Sequence, residues 1–404
     1  MTSILSTDLG VDAEAHVREL AHRLVADYPP ASTSIRDFLG ARFDAGLAWI
    51  HFPLGQGGLS LAPALQGIAD AIVTDAGGPN PFELNPMGYG MAGPTLMAHA
   101  SEDLKNQLLR PLYVCDEIWC QLFSEPGAGS DLAGLATRAV LSNVGWTLNG
   151  QKVWTSKAHL ARWALLLART DPDVPKHRGL SYFVLDMQDP GVEVRPLRQL
   201  TGDSEFNEVY LRDAHIDDAW RLGDVGQGWT VAMTTLMNER NAIGGGSIAR
   251  GSGSIGDALT LWDSRPDLRT PLLRDRLLSL FVRADALRLT GMRYAAERSD
   301  GPVGPEGSVG KLAGAELNKE VYEFCVAMLG IEATLFSSEP GDPAGEDTTQ
   351  RESSMQWKFL RSRANTIEGG TAEVLRNIVA ERLLGLPGDV RVDKNKPWRD
   401  VPRG

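Results

Sequence analysis

Across 404 residues the chain has only three cysteines, Cys115, Cys120 and Cys325, and no Cys-x-x-Cys pair. That rules against a disulfide framework and a cysteine metal knuckle, and it fits a reducing compartment. The seven histidines are scattered, so no metal-ligand spacing emerges. A cationic surplus is also missing: 40 Lys and Arg against 52 Asp and Glu leave a formal net charge of -12. Nucleic acid, which is held by releasing counterions onto a basic face, is not an expected partner. No window holds 18 uninterrupted apolar residues, and Met1 to Gly10 has neither a basic stretch nor an apolar core of a leader. No membrane span or secretory signal is expected, and a cytoplasmic location is. An anionic ligand would then be held by local arginines and helix N-termini, since the overall field repels it.

What is present is ordinary globular material, 43% hydrophobic and 23% charged. The length is too great for a single core, so two or three domains are expected. Helical patterning dominates to about Cys115: Val17, Leu20, Ala21 and Leu24 share one stripe, Pro29-Pro30 ends it, and Ser101 reads as a helix N-cap. Strand patterning follows from about Ile118 to Leu222, with short strands at 118–123, 164–168, 181–185, 192–194 and 208–211. Asn149-Gly150 predicts a two-residue hairpin turn between Trp146-Thr-Leu and Lys152-Val-Trp. Helices are predicted again over 229–243, 271–298, 308–329, 355–364 and 371–384. Residues 337–352 read as a solvated loop, and the polar tail should fray. The expected fold is therefore α+β: a helical domain over 1–117, a β-domain over 118–225, a helical bundle over 226–390 and a flexible tail over 391–404.

Three stretches stand out as chemistry. Cys120-Gln-Leu-Phe-Ser-Glu-Pro-Gly-Ala-Gly-Ser-Asp131 ends an apolar run in a turn whose two glycines leave room for a ligand. Gly150-Gln-Lys-Val-Trp-Thr-Ser156 carries a strand tryptophan, a residue type that is more often core. Gly369-Gly-Thr-Ala-Glu-Val-Leu-Arg376 opens a helix at Thr371, for which capping alone is an adequate reason.

Together these stretches resemble the acyl-CoA dehydrogenases, over about residues 12 to 388. The resemblance implies a middle β-barrel-like domain, a C-terminal four-helix bundle and an FAD cofactor. Its flavin-lining positions fall on Phe123, Ser124, Trp154, Thr155, Ser156, Thr371, Ala372 and Glu373. Ser130 matches a position touching the CoA portion of the substrate, and the backbone N–H of Gly369 matches a donor to the thioester oxygen. The reaction so implied is α,β-dehydrogenation of an acyl-CoA to a trans-2-enoyl-CoA, with hydride leaving to the flavin and electrons passing to an electron-transfer flavoprotein.

The chain departs from the commonest family pattern at the base. Medium- and short-chain branches place the catalytic glutamate immediately before the Gly-Thr pair, where this chain has Gly369. Glu368 lies one residue early. Glu239, in Leu236-Met-Asn-Glu-Arg240, falls on a semi-apolar stripe that would raise its pKa toward that of a general base. A structural pairing explains a glutamate there equally well. Isovaleryl-CoA and long-chain dehydrogenases carry their base in a matching Glu-Arg pair, which selects Glu239 and places Arg240 at the substrate pocket. The Arg-x-x-Phe-Gly segment that normally reaches a neighbour's FAD has no counterpart in 255–275, and Gln-x-x-Gly-Gly-x-Gly is reduced to Met328-Leu-Gly330. A homodimer or homotetramer is expected. Rival readings are a non-catalytic subunit of a heteromer and a same-fold flavin oxidase. No metal is expected, and the acyl chain is not encoded in composition.

Overall fold

The computed structural model describes residues 4–244, 249–297, 305–335, 354–390 and 392–402, and side chains over 12–238, 249–294, 305–335, 354–390 and 392–402. The predicted loop at 337–352 lies outside the described residues. The chain divides into two compact units. One holds residues up to Arg195, Asn207–Thr235 and the segment from Asp393; the other holds Pro196–Phe206 and Leu236–Val392. The helical and β-rich segments expected as separate domains thus form one unit.

In the first unit, helix α1 (Ile4–Asp27) buries Val17, Ala21 and Leu24, spaced so that they share one helix face. Short helices α2 (Ile35–Asp44), α3 (Gln66–Asp75), α4 (Pro81–Leu84) and α5 (Gly93–His99) follow. Helix α6 (Glu102–Tyr113) starts where expected: the Ser101 hydroxyl accepts the Leu104 N–H, and Glu102 and Asp103 fill the first turn. Fully buried Asn85 fastens these helices to the sheet. Its Nδ2 donates to the carbonyls of Leu112 and Glu117, and its Oδ1 accepts from the N–H groups of Gly88 and Trp119.

The sheet has eight strands: β1 (Trp119–Leu122), β2 (Arg138–Ser142), β3 (Gly145–Ser156), β4 (Trp163–Arg169), β5 (Leu180–Asp186), β6 (Val192–Pro196), β7 (Phe206–Ile216) and β8 (Arg221–Leu222). Their order is β6-β7-β3-β2-β4-β5-β8, with β1 parallel beside β4. Alternate residues of several strands build one core: Cys120 and Leu122, Trp146 and Leu148, Ala164 and Leu166, Phe183 and Leu185, Val209 and Leu211. Every residue of β4 is buried, as befits a central strand.

The hairpin falls elsewhere than predicted. β3 runs unbroken through Asn149 and Gly150, and the turn is at Asn143-Val144, pairing Ser142 with Gly145. Asn149 pairs with Arg138 on β2, while its side chain exchanges two hydrogen bonds with Asp213. Gly150 is glycine because a Cβ there would lie 2.7 Å from the Thr137 Cα. The dipeptide that signals a turn is thus a tertiary contact in mid-strand.

The second unit is helical: the rest of α7 (Gly228–Gly244), then α8 (Ser254–Ser264), α9 (Pro271–Glu297), α10 (Gly307–Leu329), α11 (Met355–Ser362) and α12 (Ala372–Ile378). Helix α8 was not foreseen. Ile255, Ala258, Leu261, Leu277, Leu280, Val321 and Phe324 contribute to its core.

The tail also differs from expectation. Rather than fraying, it docks on the first unit, where Trp398 is 9% exposed and its Nε1 donates to the Gly134 carbonyl at 3.0 Å. One large aromatic side chain outweighs the polar residues around it.

Candidate functional site

The 118–131 stretch leaves β1 and folds back at Glu125-Pro126-Gly127-Ala128, where Glu125 and Ala128 exchange both backbone hydrogen bonds at 3.1 and 3.0 Å. The Ser124 carbonyl accepts the Val153 N–H at 2.9 Å, which lays β3 alongside the turn. Two motifs distant in sequence therefore meet. Gly127 and Gly129 have no neighbour within 4 Å of a built Cβ, and neither needs a left-handed backbone. The chain's own packing does not call for glycine at either place, so the open space suits a ligand's approach.

Beneath this turn lies an ion pair that sequence reasoning missed. The Lys152 ammonium is wholly buried and donates to the Phe123 carbonyl at 3.0 Å, the Leu167 carbonyl at 2.9 Å and Glu125 Oε1 at 2.9 Å. The Glu125 carboxylate also accepts the N–H groups of Ala136 at 2.7 Å and Thr137 at 2.9 Å. Burial would raise the Glu125 pKa, but the Lys152 charge and the N–H donors overcome it and hold it below the usual carboxylate range. Burial lowers the Lys152 pKa, and Glu125 offsets part of that. The available signal was a lysine inside a strand, followed directly by Val153 and Trp154.

Phe123 itself is a core ring, edge-on to Tyr182 at 5.7 Å. Trp154, by contrast, is 59% exposed and sits at φ 62. A bulky side chain in the left-handed region costs about 1–3 kcal/mol, a strain that concentrates at functional positions. The core reading of this tryptophan is overturned: the backbone twist turns the indole outward from a strand whose neighbours Val153 and Thr155 are buried. The Thr155 carbonyl accepts Asn207 Nδ2 at 3.1 Å, while its buried hydroxyl has no hydrogen-bond partner among the described residues. Ser156 is half-buried at the strand's end, and Ser130 is exposed beyond the turn.

In the second unit Gly369 (φ 61) and Gly370 (φ 97) both need the left-handed backbone, which disfavours any side chain there. The Thr371 hydroxyl caps α12 by accepting the Val374 N–H, Ala372 is buried and Glu373 is exposed. Lys311 on α10 holds this turn, donating to the carbonyls of Gly370 at 2.7 Å and Asn365 at 2.9 Å. It too was missed. Glu368 is bound at both oxygens by Arg361, at 3.2 and 3.0 Å, and accepts Asn365 Nδ2 at 2.7 Å. Glu239 and Arg240 fall on α7, but their side chains lie outside the described residues; position 239 is one helical turn beyond buried Thr235, whose hydroxyl meets Tyr182 and Thr95 at 2.9 Å. Within the 255–275 stretch that lacks the family's Arg-x-x-Phe-Gly segment, Arg265 is bound by Glu332 and Asp267, and Arg269 donates to the Trp262 carbonyl.

Among the described residues no His/Cys/Asp/Glu group could hold a metal, and no helix is long and apolar enough to cross a membrane. The outward indole and the open glycine turn lie together on the β-sheet, and the capped Gly-Gly-Thr helix belongs to the helical unit. Residues 120–214 match the family model of the acyl-CoA dehydrogenase middle domain, and residues 226–384 that of its C-terminal domain. Acyl-CoA dehydrogenase FadE34 of Mycobacterium tuberculosis is 40% identical over 85% of this chain, which spans 45% of that relative's length. Acyl-CoA dehydrogenase IpdE1 of the same organism is 37% identical over 86% of each chain. The solved ChsE4-ChsE5 complex from Mycobacterium tuberculosis is 25% identical with a TM-score of 0.68, over 96% of this chain and 99% of that one. The chain belongs to the acyl-CoA dehydrogenase family, a family of oxidoreductases.

Proposed function

We propose that the protein is an FAD-dependent acyl-CoA dehydrogenase that converts an acyl-CoA thioester to its trans-2-enoyl product and passes the electrons to an electron-transfer flavoprotein. The observation that carries this reading is the meeting of the Ser124–Ser130 turn with β3, where Trp154 stands exposed and Gly127 and Gly129 leave space. Those features fit a planar ring. The proposed flavin positions on the sheet are Phe123, Ser124, Trp154, Thr155 and Ser156; those on α12 and its cap are Thr371, Ala372 and Glu373. FAD, when bound, supplies the acceptor for the β-hydrogen and its electron pair. Glu239 removes the α-proton, since Gly369 has no side chain and Glu368 is committed to Arg361 and Asn365. The Gly369 N–H meets charge developing on the thioester oxygen, and Ser130 and Arg240 contact the substrate.

The test is an anaerobic panel of acyl-CoAs monitored by flavin bleaching. Glu239→Gln should lower kcat by at least about 10²-fold with FAD retained, the scale of a lost general base, and Glu368→Gln should leave kcat nearly unchanged. If the second change is the disabling one, the base is misassigned.

A second reading is favoured by the commitment of Arg265 and Arg269 to partners within the chain and by the similarity to the ChsE4-ChsE5 complex. In it the chain pairs with a different homologous subunit that completes the cofactor site. Yellow, active protein from this chain alone would exclude that arrangement; colourless protein that gains FAD on co-expression with a homologue would support it over a homodimer or homotetramer.

A further inference from the structure

The docked C-terminal segment converges on one short stretch of chain. Pro397 bridges to Pro175, the Trp398 N–H donates to the Val174 carbonyl at 2.9 Å, and the Arg399 N–H to the Pro172 carbonyl at 3.1 Å. From that seat the Trp398 indole donates to the Gly134 carbonyl and lies 4.4 Å from the Arg169 guanidinium carbon. Arg169 is buried and donates to the carbonyls of Ala133 at 2.6 Å, Leu135 at 3.1 Å and Lys176 at 3.1 Å. Lys176 in turn joins Asp393 of the tail, at 2.6 Å, to Asp131, at 2.8 Å. Asp131, Ala133, Gly134 and Leu135 are thus held by the tail directly or through one cation that the tail covers or pairs. Ala136 and Thr137, next along, are held by Glu125.

We propose that the segment 393–402 is a positioning element for substrate binding: through Trp398 and Asp393 it fixes the 131–135 stretch and so sets where Ser130 presents itself to the CoA portion of a thioester. The inference rests on the assignment of Ser130 made under the proposed function. The physical reason is desolvation. With the indole over it, Arg169 makes its carbonyl hydrogen bonds out of water, where they are stronger; with the indole gone, water competes for the same carbonyls. The cation–π contact adds to this. Trp398 is a positioning residue and touches no reacting atom.

The experiment uses the full chain carrying Trp398→Ala, Trp398→Phe or Asp393→Asn. Amide hydrogen exchange over 131–137 is read together with FAD content, kcat, KM and calorimetric binding of the thioester. Trp398→Ala should speed exchange at these amides and raise KM about tenfold, a loss of about 1.4 kcal/mol, with kcat and FAD content little changed. Trp398→Phe, which keeps a ring over Arg169, should recover most of both effects. Asp393→Asn should act in the same direction but less, and it decides the matter if Trp398→Ala does not fold. Unchanged exchange and KM in a folded Trp398→Ala protein would overturn the proposal, as would kcat and FAD content falling in parallel with KM. If wild-type protein binds no CoA thioester, the functional reading and the substrate role of the tail both fail, while the exchange data still show whether the tail orders 131–137.

Discussion

Gly127 in the turn, and Lys152 bonded to Glu125 and to the Phe123 carbonyl beside it, separate ligand demands from folding demands. Gly127 has ordinary backbone angles and open space at its Cβ. Gly127→Ala should therefore leave the stability of cofactor-free protein within about 0.5 kcal/mol, while weakening FAD retention measured by absorbance after desalting. A loss of stability would mean that the glycine serves the turn. Lys152→Met should do the reverse. It strands the Glu125 carboxylate in the interior, and breaking a buried pair from one side costs about 3–5 kcal/mol, readable as a shift in the denaturation midpoint. Trp154 shows why residue type alone misleads: alternation along β3 points its ring inward, and only the left-handed backbone turns it out. No local rule foretells that conformation for a tryptophan.

At the scale of elements, β3 and α12 differ in how far local chemistry explains them. The start of α12 is local: Thr371 caps it, and Thr371→Ala should cost about 1 kcal/mol in unfolding experiments. The helices at 229–243, 271–298 and 308–329 were legible to within a residue or so for the same reason, since repeating apolar positions bury one stripe against a bundle. β3 is decided by its neighbours. Gly150 lies against Thr137 and Asn149 against Asp213, so a dipeptide that favours a turn is held extended. Gly150→Ala should destabilise the sheet by about 1–3 kcal/mol, the usual cost of overpacking. A wild-type melting temperature in that variant would contradict the close approach.

For the whole molecule, acid stability reports on the Glu125–Lys152 node. The Glu125 pKa is held below its ordinary value in the folded state, so the unfolded chain binds the proton more tightly. The node's contribution is complete above the ordinary carboxylate range and is lost as pH falls through the lower folded-state value. Denaturation midpoints of wild type and Glu125→Gln should converge on acidification and separate again toward neutral pH. A constant gap would show that the ionised carboxylate contributes nothing.

The sequence by itself determined the family and the helical and β-rich segments, because capping, apolar periodicity and glycine spacing are local and survive in one dimension. It placed Glu368 one residue before the family's base position, and the structure pairs that carboxylate with Arg361 and Asn365. Only the tertiary structure decided where Lys152, Lys311 and Trp398 act. Each of the three donates to backbone carbonyls far along the chain, and a carbonyl carries no mark of its partner in the amino-acid alphabet.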